Sequence, residues 1–207
     1  MGPLATLSWL GGLLAPPRCA ICATPCDPRE PLCSACASRL DRARSGAATI
    51  AGVGQVRWAS DYEGIGRELV TALKFDRRLV LAELAGGAVA RAVGPRPGWT
   101  VVAVPASPLR RRRRGFDAAE SIAAALASHL GLSVAPVLAR AGGPRQVGRR
   151  RAERHAAPPR VWALAPAPPR ALVVDDVLTT GATLGACAAA LRGAGCAELC
   201  AAVFART

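Results

Sequence analysis

Residues 172–184 read Leu-Val-Val-Asp-Asp-Val-Leu-Thr-Thr-Gly-Ala-Thr-Leu, and these residue types in this order suit one kind of chemistry. An apolar run over 171–174 reads as a buried parallel strand. It ends in two adjacent carboxylates, Asp175 and Asp176, followed by small hydroxyl residues around one glycine. Paired carboxylates can accept hydrogen bonds from the vicinal hydroxyls of a sugar such as ribose. They can also hold a magnesium ion, directly or through water. The loop of Thr179, Thr180, Gly181, Ala182 and Thr183 opens an Ala- and Leu-rich helix over about 184–192. A helix start of that kind presents free N–H groups and the positive end of the helix dipole, which suits a phosphate. In an open α/β sheet, ligands bind in the crevice beyond the carboxyl ends of the strands. No Gly-Lys-Ser/Thr follows the loop and there is no Gly-x-Gly-x-x-Gly turn, which excludes a Walker A loop and a dinucleotide fingerprint.

This block resembles the phosphoribosyl diphosphate (PRPP) motif of type I phosphoribosyltransferases. The resemblance runs over nine residues, 175–183, and follows a strand. It implies that Asp175 and Asp176 hold the ribose hydroxyls and that Thr179 to Thr183 cradle the 5′-phosphate.

A second cluster lies near the N-terminus. Five of the eight cysteines fall between residues 19 and 36, four of them as paired Cys-x-x-Cys knuckles: Cys19 and Cys22, then Cys33 and Cys36. Each knuckle can bring two thiolates to one metal, and zinc favours closed four-thiolate sites for structural work. The intervening Pro25, Asp27, Pro28 and Pro31 form a turn-rich loop with almost no core, so the module needs a metal to fold. Disulfides are the competing reading; they suit secreted chains. Cys26 is left over and is an alternative fourth ligand. Cys187, Cys196 and Cys200 read as small buried residues.

The elements that must position these residues alternate. Strands are expected over 54–62, 100–104, 134–138, 161–164, 171–174 and 198–204, and helices over 65–75, 79–93, 118–130 and 184–192. Asp117 reads as an N-cap with Glu120 three residues on. Residues 141–160, rich in Gly, Pro and Arg, read as a mobile loop, and 4–14 as a short amphipathic helix. The pattern implies an α/β fold, a parallel sheet covered by helices on both faces. The organisation expected is an N-terminal segment with the zinc-binding module over 1–45 and one domain over 54–207.

The chain of 207 residues carries 27 Lys+Arg against 14 Asp+Glu, a formal net charge of +13. Lys74 is the one lysine; the other 26 are arginine. Such a balance points to phosphate-rich partners, while abundant Ala, Arg, Gly and Pro also reflect a GC-rich coding bias. Five arginines run from 110 to 114, past one strand and before a helix. Guanidinium forks pair bidentately with phosphate, so the run suits a pyrophosphate group or a basic surface. Arg114 beside Gly115 is its best candidate for a small-molecule pocket. Residues 1–17 lack a basic leading region and no apolar run reaches membrane-spanning length, so a cytoplasmic protein with no membrane span is expected.

The order of motifs narrows the resemblance. The cysteine knuckles, Leu73-Lys74-Phe75, Val-x-Val-Pro at 102–105, Arg-Arg-Gly-Phe at 113–116, Gln-x-Gly at 146–148 and the Asp-Asp block occur in the order seen in the ComF family, competence-associated proteins that resemble phosphoribosyltransferases. The resemblance implies a type I phosphoribosyltransferase-like fold, structural Zn2+, and Mg2+ with PRPP. It places Lys74 and Arg114 toward pyrophosphate. It implies either transfer of phosphoribosyl to an acceptor or a binding protein that holds a phosphorylated ligand and single-stranded DNA during DNA uptake, with other competence proteins as partners. Two departures stand out. The family continues Arg-Gly-Phe with Asn-Gln, where this chain has Asp117-Ala118, so Asp117 is assigned to capping. The arginine-rich stretch after Gln146 leads in the family to Asn and then Phe, where Arg154-His155 and Trp162 stand here.

Overall fold

The computed structural model describes residues 17–75, 79–141 and 159–207. The expected amphipathic helix over 4–14, the Gln146 motif and nearly all of the expected loop over 141–160 lie outside them. Among the described residues a six-stranded sheet forms the centre, in the order β1-β2-β8-β7-β3-β4. Its strands are β1 (Gly46–Ile50), β2 (Gly54–Asp61), β3 (Thr100–Ala103), β4 (Ser133–Val134), β7 (Arg170–Leu178) and β8 (Glu198–Arg206). Every pairing is parallel except that of β1 with β2. Two further strands, β5 (Leu138–Arg140) and β6 (Val161–Ala163), pair antiparallel as a separate ribbon. The helices are α1 (Ser34–Asp41), α2 (Gly64–Phe75), α3 (Val80–Val93), α4 (Pro108–Arg114), α5 (Ala118–Leu130) and α6 (Ala182–Gly193). The result is a mostly parallel sheet flanked by helices, with the cysteine knuckles near the N-terminus.

The central strands read as unbroken apolar runs because both faces are covered. Side chains alternate between the faces at period two. On β7 and β8, Leu172, Val174, Cys200, Ala202 and Phe204 face one core, with α2, α3 and α5. Ala171, Val173, Ala201 and Val203 face the other, with Leu184, Cys187, Ala188 and Leu191 of α6. Close packing of α3 on α5 depends on Gly86, where an added Cβ would lie 2.5 Å from that of Ala125. The knuckle module adds Cys19, Ala20, Leu32, Cys36 and Leu40 to the first core, beyond α2. Arg39 of α1 ties it to Glu68 of α2 at 2.6 Å.

The main differences from the sequence reading each have a physical reason, local or set by a neighbouring strand. The strand expected over 134–138 is two strands in different sheets. Pro136 has no N–H for a ladder, so Ser133–Val134 ends there and Leu138–Arg140 turns away to meet β6. Strand β7 runs on to Leu178, past Val174, because β8 pairs beside it as far as Arg206. Residues 46–50 form an additional edge strand on β2. The arginine run, to which the sequence reading assigns no element, lies in α4, opened by Pro108, whose fixed φ suits the first helical position.

Candidate functional site

The carboxyl ends of β3, β7 and β8 meet at one edge of the sheet. Asp175 and Asp176 lie in the last turn of pleat of β7, opposite Val203 and its neighbours on β8. Successive strand residues point to opposite faces, so the two carboxylates diverge. Asp176 reaches Lys74, at the end of α2, and the Nζ to Oδ1 distance is 2.7 Å. Both side chains are largely buried, 17% and 14% exposed. Asp175 accepts a hydrogen bond from the Asp176 N–H at 2.8 Å. Poor solvation pushes the Asp175 carboxyl up, to about 8, and the neighbouring Asp176 charge adds to the rise; the Asp176 N–H and the Lys74 ammonium oppose it. Asp176 thus has a cationic partner, whereas the hydrogen bond given to Asp175 comes from a backbone N–H.

Past Leu178 the chain turns through exposed Thr179 and Thr180 to Gly181. Gly181 is the N-cap of α6 with φ +78. That left-handed backbone is costly for any residue with a Cβ. The first-turn N–H groups of α6 have no carbonyl four residues back to bond. Of these, Ala182 has a long contact to the Thr180 hydroxyl at 3.4 Å. Thr183 sits half-buried one residue on. Thr179, Thr180 and Ala182 are exposed in this loop, directly beyond the carboxylate pair.

The third wall follows β3. Asp117 is buried and bonds two segments at once, accepting from the Ala106 N–H at 2.6 Å and the Ala119 N–H at 3.0 Å. It caps α5, as its place in the sequence predicts, and it also fixes the turn that leaves β3. Glu120 does not close a capping box; it pairs with Arg111 at 3.2 Å. Arg114 is the last residue of α4, on this same connection, and Gly115 with φ +77 stops the helix there. That gives Gly115 a role of its own in the backbone. Asp117→Ala should cost about 2 kcal/mol through the lost cap and the stranded Ala106 N–H. Chemical denaturation checks this, and Asp117→Asn, which keeps the accepting oxygen, should recover part of the loss.

The sequence reading overlooked a cleft of about 460 Å³ lined by Arg44, Asp61, Tyr62, Glu63, Arg206 and Thr207. It opens at the carboxyl ends of β2 and β8, and Thr207 donates to the Leu178 carbonyl just before the loop. Polar residues closing two adjacent parallel strands were the available signal.

The second site is the cysteine cluster. The Sγ atoms of Cys19, Cys22, Cys33 and Cys36 all lie within 4.8 Å of one another. Tetrahedral zinc with bonds of about 2.3 Å needs sulfurs about 3.8 Å apart, so the four residues fit that ion. Cys26 stands outside the group, its thiol directed to the Glu30 carbonyl at 3.5 Å. The hydroxyl and backbone of Thr24 draw the Cys22 thiol down to about 6. Burial, reinforced by the neighbouring sulfurs, pushes Cys36 up to about 12. Four thiols this close cannot all ionise without a cation among them.

No helix among the described residues is long and apolar enough to cross a membrane. No protein-family model matches the chain, and no curated protein does. Among solved structures, one of the allosteric regulatory enzyme of purine biosynthesis is similar over 59% of this chain, at 21% identity and a TM-score of 0.40. The match spans 25% of that protein's own length.

Proposed function

We propose that the carboxyl edge of β7 binds PRPP, and that the chain is a ComF-like phosphoribosyltransferase-type protein with a structural zinc module. The observation that carries this reading is the strand–carboxylate pair–Thr-Thr-Gly-Ala-Thr–helix arrangement, with a lysine from a distant helix already at the second carboxylate. The acidic pair would take the ribose hydroxyls, and the first turn of α6 with Thr179 to Thr183 would take the 5′-phosphate. Lys74 and Arg114 would face the diphosphate. The oxygen-only donor set of Asp175 and Asp176 fits Mg2+, which when bound would neutralise diphosphate charge. In transfer, the bond from the anomeric carbon to the diphosphate oxygen breaks and its electron pair leaves with pyrophosphate. A lone pair on the acceptor forms the new bond, and the acceptor's proton passes to solvent. Fixed cations at the diphosphate stabilise the departing charge.

The test is pyrophosphate release from PRPP across a panel of nitrogen acceptors. Release that depends on one acceptor establishes the transferase reading. Binding of PRPP with no release on any acceptor favours the second reading, a non-catalytic protein that holds a phosphorylated ligand and meets single-stranded DNA through its arginine-rich surface. No PRPP binding defeats the transferase reading.

A further inference from the structure

In this chain Lys74 is the one lysine among 27 basic residues. It stands where a cation is enclosed, against Asp176 at 2.7 Å, while the other 26 of the 27 Lys+Arg residues are arginine. An ammonium is a compact point charge on a flexible stem, whereas a guanidinium is a wide planar fork that holds two partners at once. A cation that must sit in a narrow place and then move to another partner is better served by the former. The pair also joins two sites that the proposed function keeps apart, the ribose carboxylates and the diphosphate wall.

We propose that the Lys74–Asp176 ion pair is a selectivity plug. It rests on the PRPP reading above. The site admits a ribose ligand that arrives with a diphosphate and its divalent cation, and it refuses ribose 5-phosphate. The argument is one of partner exchange. With the site empty, Asp176 already has a charged partner in poorly solvated surroundings, where such pairs are costly to break. Sugar hydroxyls are neutral donors and make weaker bonds to a carboxylate than an ammonium does. A monophosphate places its charge at the α6 cradle and offers Asp176 nothing better than Lys74. A diphosphate ligand carrying its own cation offers both replacements: the cation meets Asp176, and diphosphate oxygens receive the Lys74 ammonium. Charge is balanced before and after, and no group is left alone.

Two experiments test this. Calorimetry on wild type and Lys74→Met should give opposite signs for two ligands. Ribose 5-phosphate should bind about tenfold tighter to the variant, because Asp176 becomes free to accept its hydroxyls. PRPP with Mg2+ should bind at least about tenfold weaker, because the diphosphate loses its ammonium. Weakening of both ligands, or no change in either, overturns the plug while leaving PRPP binding by the wild type intact. A wild type that binds no PRPP overturns the proposed function and the plug with it.

The second experiment needs no variant and stands if Lys74→Met fails to fold. Growth on lysine labelled with 13C at the ε-carbon gives one lysine resonance in this chain. That resonance should shift on saturation with PRPP and Mg2+, and stay in place with Mg2+ alone or with ribose 5-phosphate. A signal unmoved by bound PRPP and Mg2+, or moved equally by ribose 5-phosphate, overturns the exchange.

Discussion

Asp176→Asn is expected to destabilise the protein by about 3–5 kcal/mol, the usual cost of removing one partner from a buried ion pair, whereas Asp175→Asn should leave stability unchanged or raise it. The two carboxylates are neighbours in the chain and opposites in energetics. Asp176 neutralises Lys74 at 2.7 Å in a place where little water reaches either group. An amide there would strand the ammonium. Asp175 has no such partner, and poor solvation already holds its carboxyl well above the ordinary value of 3.8, to about 8. A neutral amide relieves that cost and keeps the oxygen that accepts the Asp176 N–H. A raised folded-state pKa gives stability that is complete below pH 3.8 and is lost as pH rises toward 8. Wild type should therefore lose stability across that window, and Asp175→Asn should lose less. Urea denaturation of both variants from pH 5 to pH 8 measures the difference. Equal losses in the two variants would contradict the asymmetry.

The zinc module carries the other large effect. Purified protein should hold about one zinc per chain, and Cys22→Ser or Cys36→Ser should remove it. Structural zinc supplies roughly 10 kcal/mol or more to small modules of this kind, and residues 17–45 have little else. Cys19, Ala20, Leu32, Cys36 and Leu40 lie in one core with Leu69 and Leu73 of α2. Loss of the metal should therefore uncover the outer face of α2 while the sheet keeps its two cores. Elemental analysis gives the stoichiometry. Limited trypsin digestion should then cut at Arg29, Arg39 and Arg42 in the variant and spare them in wild type. Zinc-free wild type with the four thiols paired as disulfides would contradict the account.

The parts of the fold legible in the sequence were those with strong local signals. The apolar runs of β7 and β8 are long because both faces are buried, and the N-cap at Asp117 marks the start of α5 to the residue. The boundaries that shifted were set by neighbours. Strand β7 outlasts its apolar run because β8 pairs beside it at Asp175, Val177 and Leu178, a long-range effect that hydropathy does not carry. Pro136 was a local signal for splitting the strand expected over 134–138, and its weight became clear with the pairing of β5 and β6. At the site, residue types identified the paired acids, the loop and the cysteine tetrad. That Lys74 should meet Asp176 was not legible, because a contact across so much chain is decided by how α2 packs on the sheet. For the same reason the cleft at Arg44, Asp61 and Arg206 gave no motif: its residues come from three separate segments.

The central claim is that the edge of β7 is a PRPP site, and calorimetric titration of wild type and Asp175→Asn with PRPP in Mg2+ tests it most directly. The Asn variant is the cleaner probe because it should fold at least as well as wild type. Wild type should bind with one site per chain, and Asp175→Asn should bind at least about tenfold more weakly, because an amide offers one accepting oxygen in place of two and no charge for the Mg2+ that arrives with the ligand. Heat of binding that is absent in wild type, or an affinity unchanged by Asp175→Asn, would contradict the assignment of the ribose to this pair.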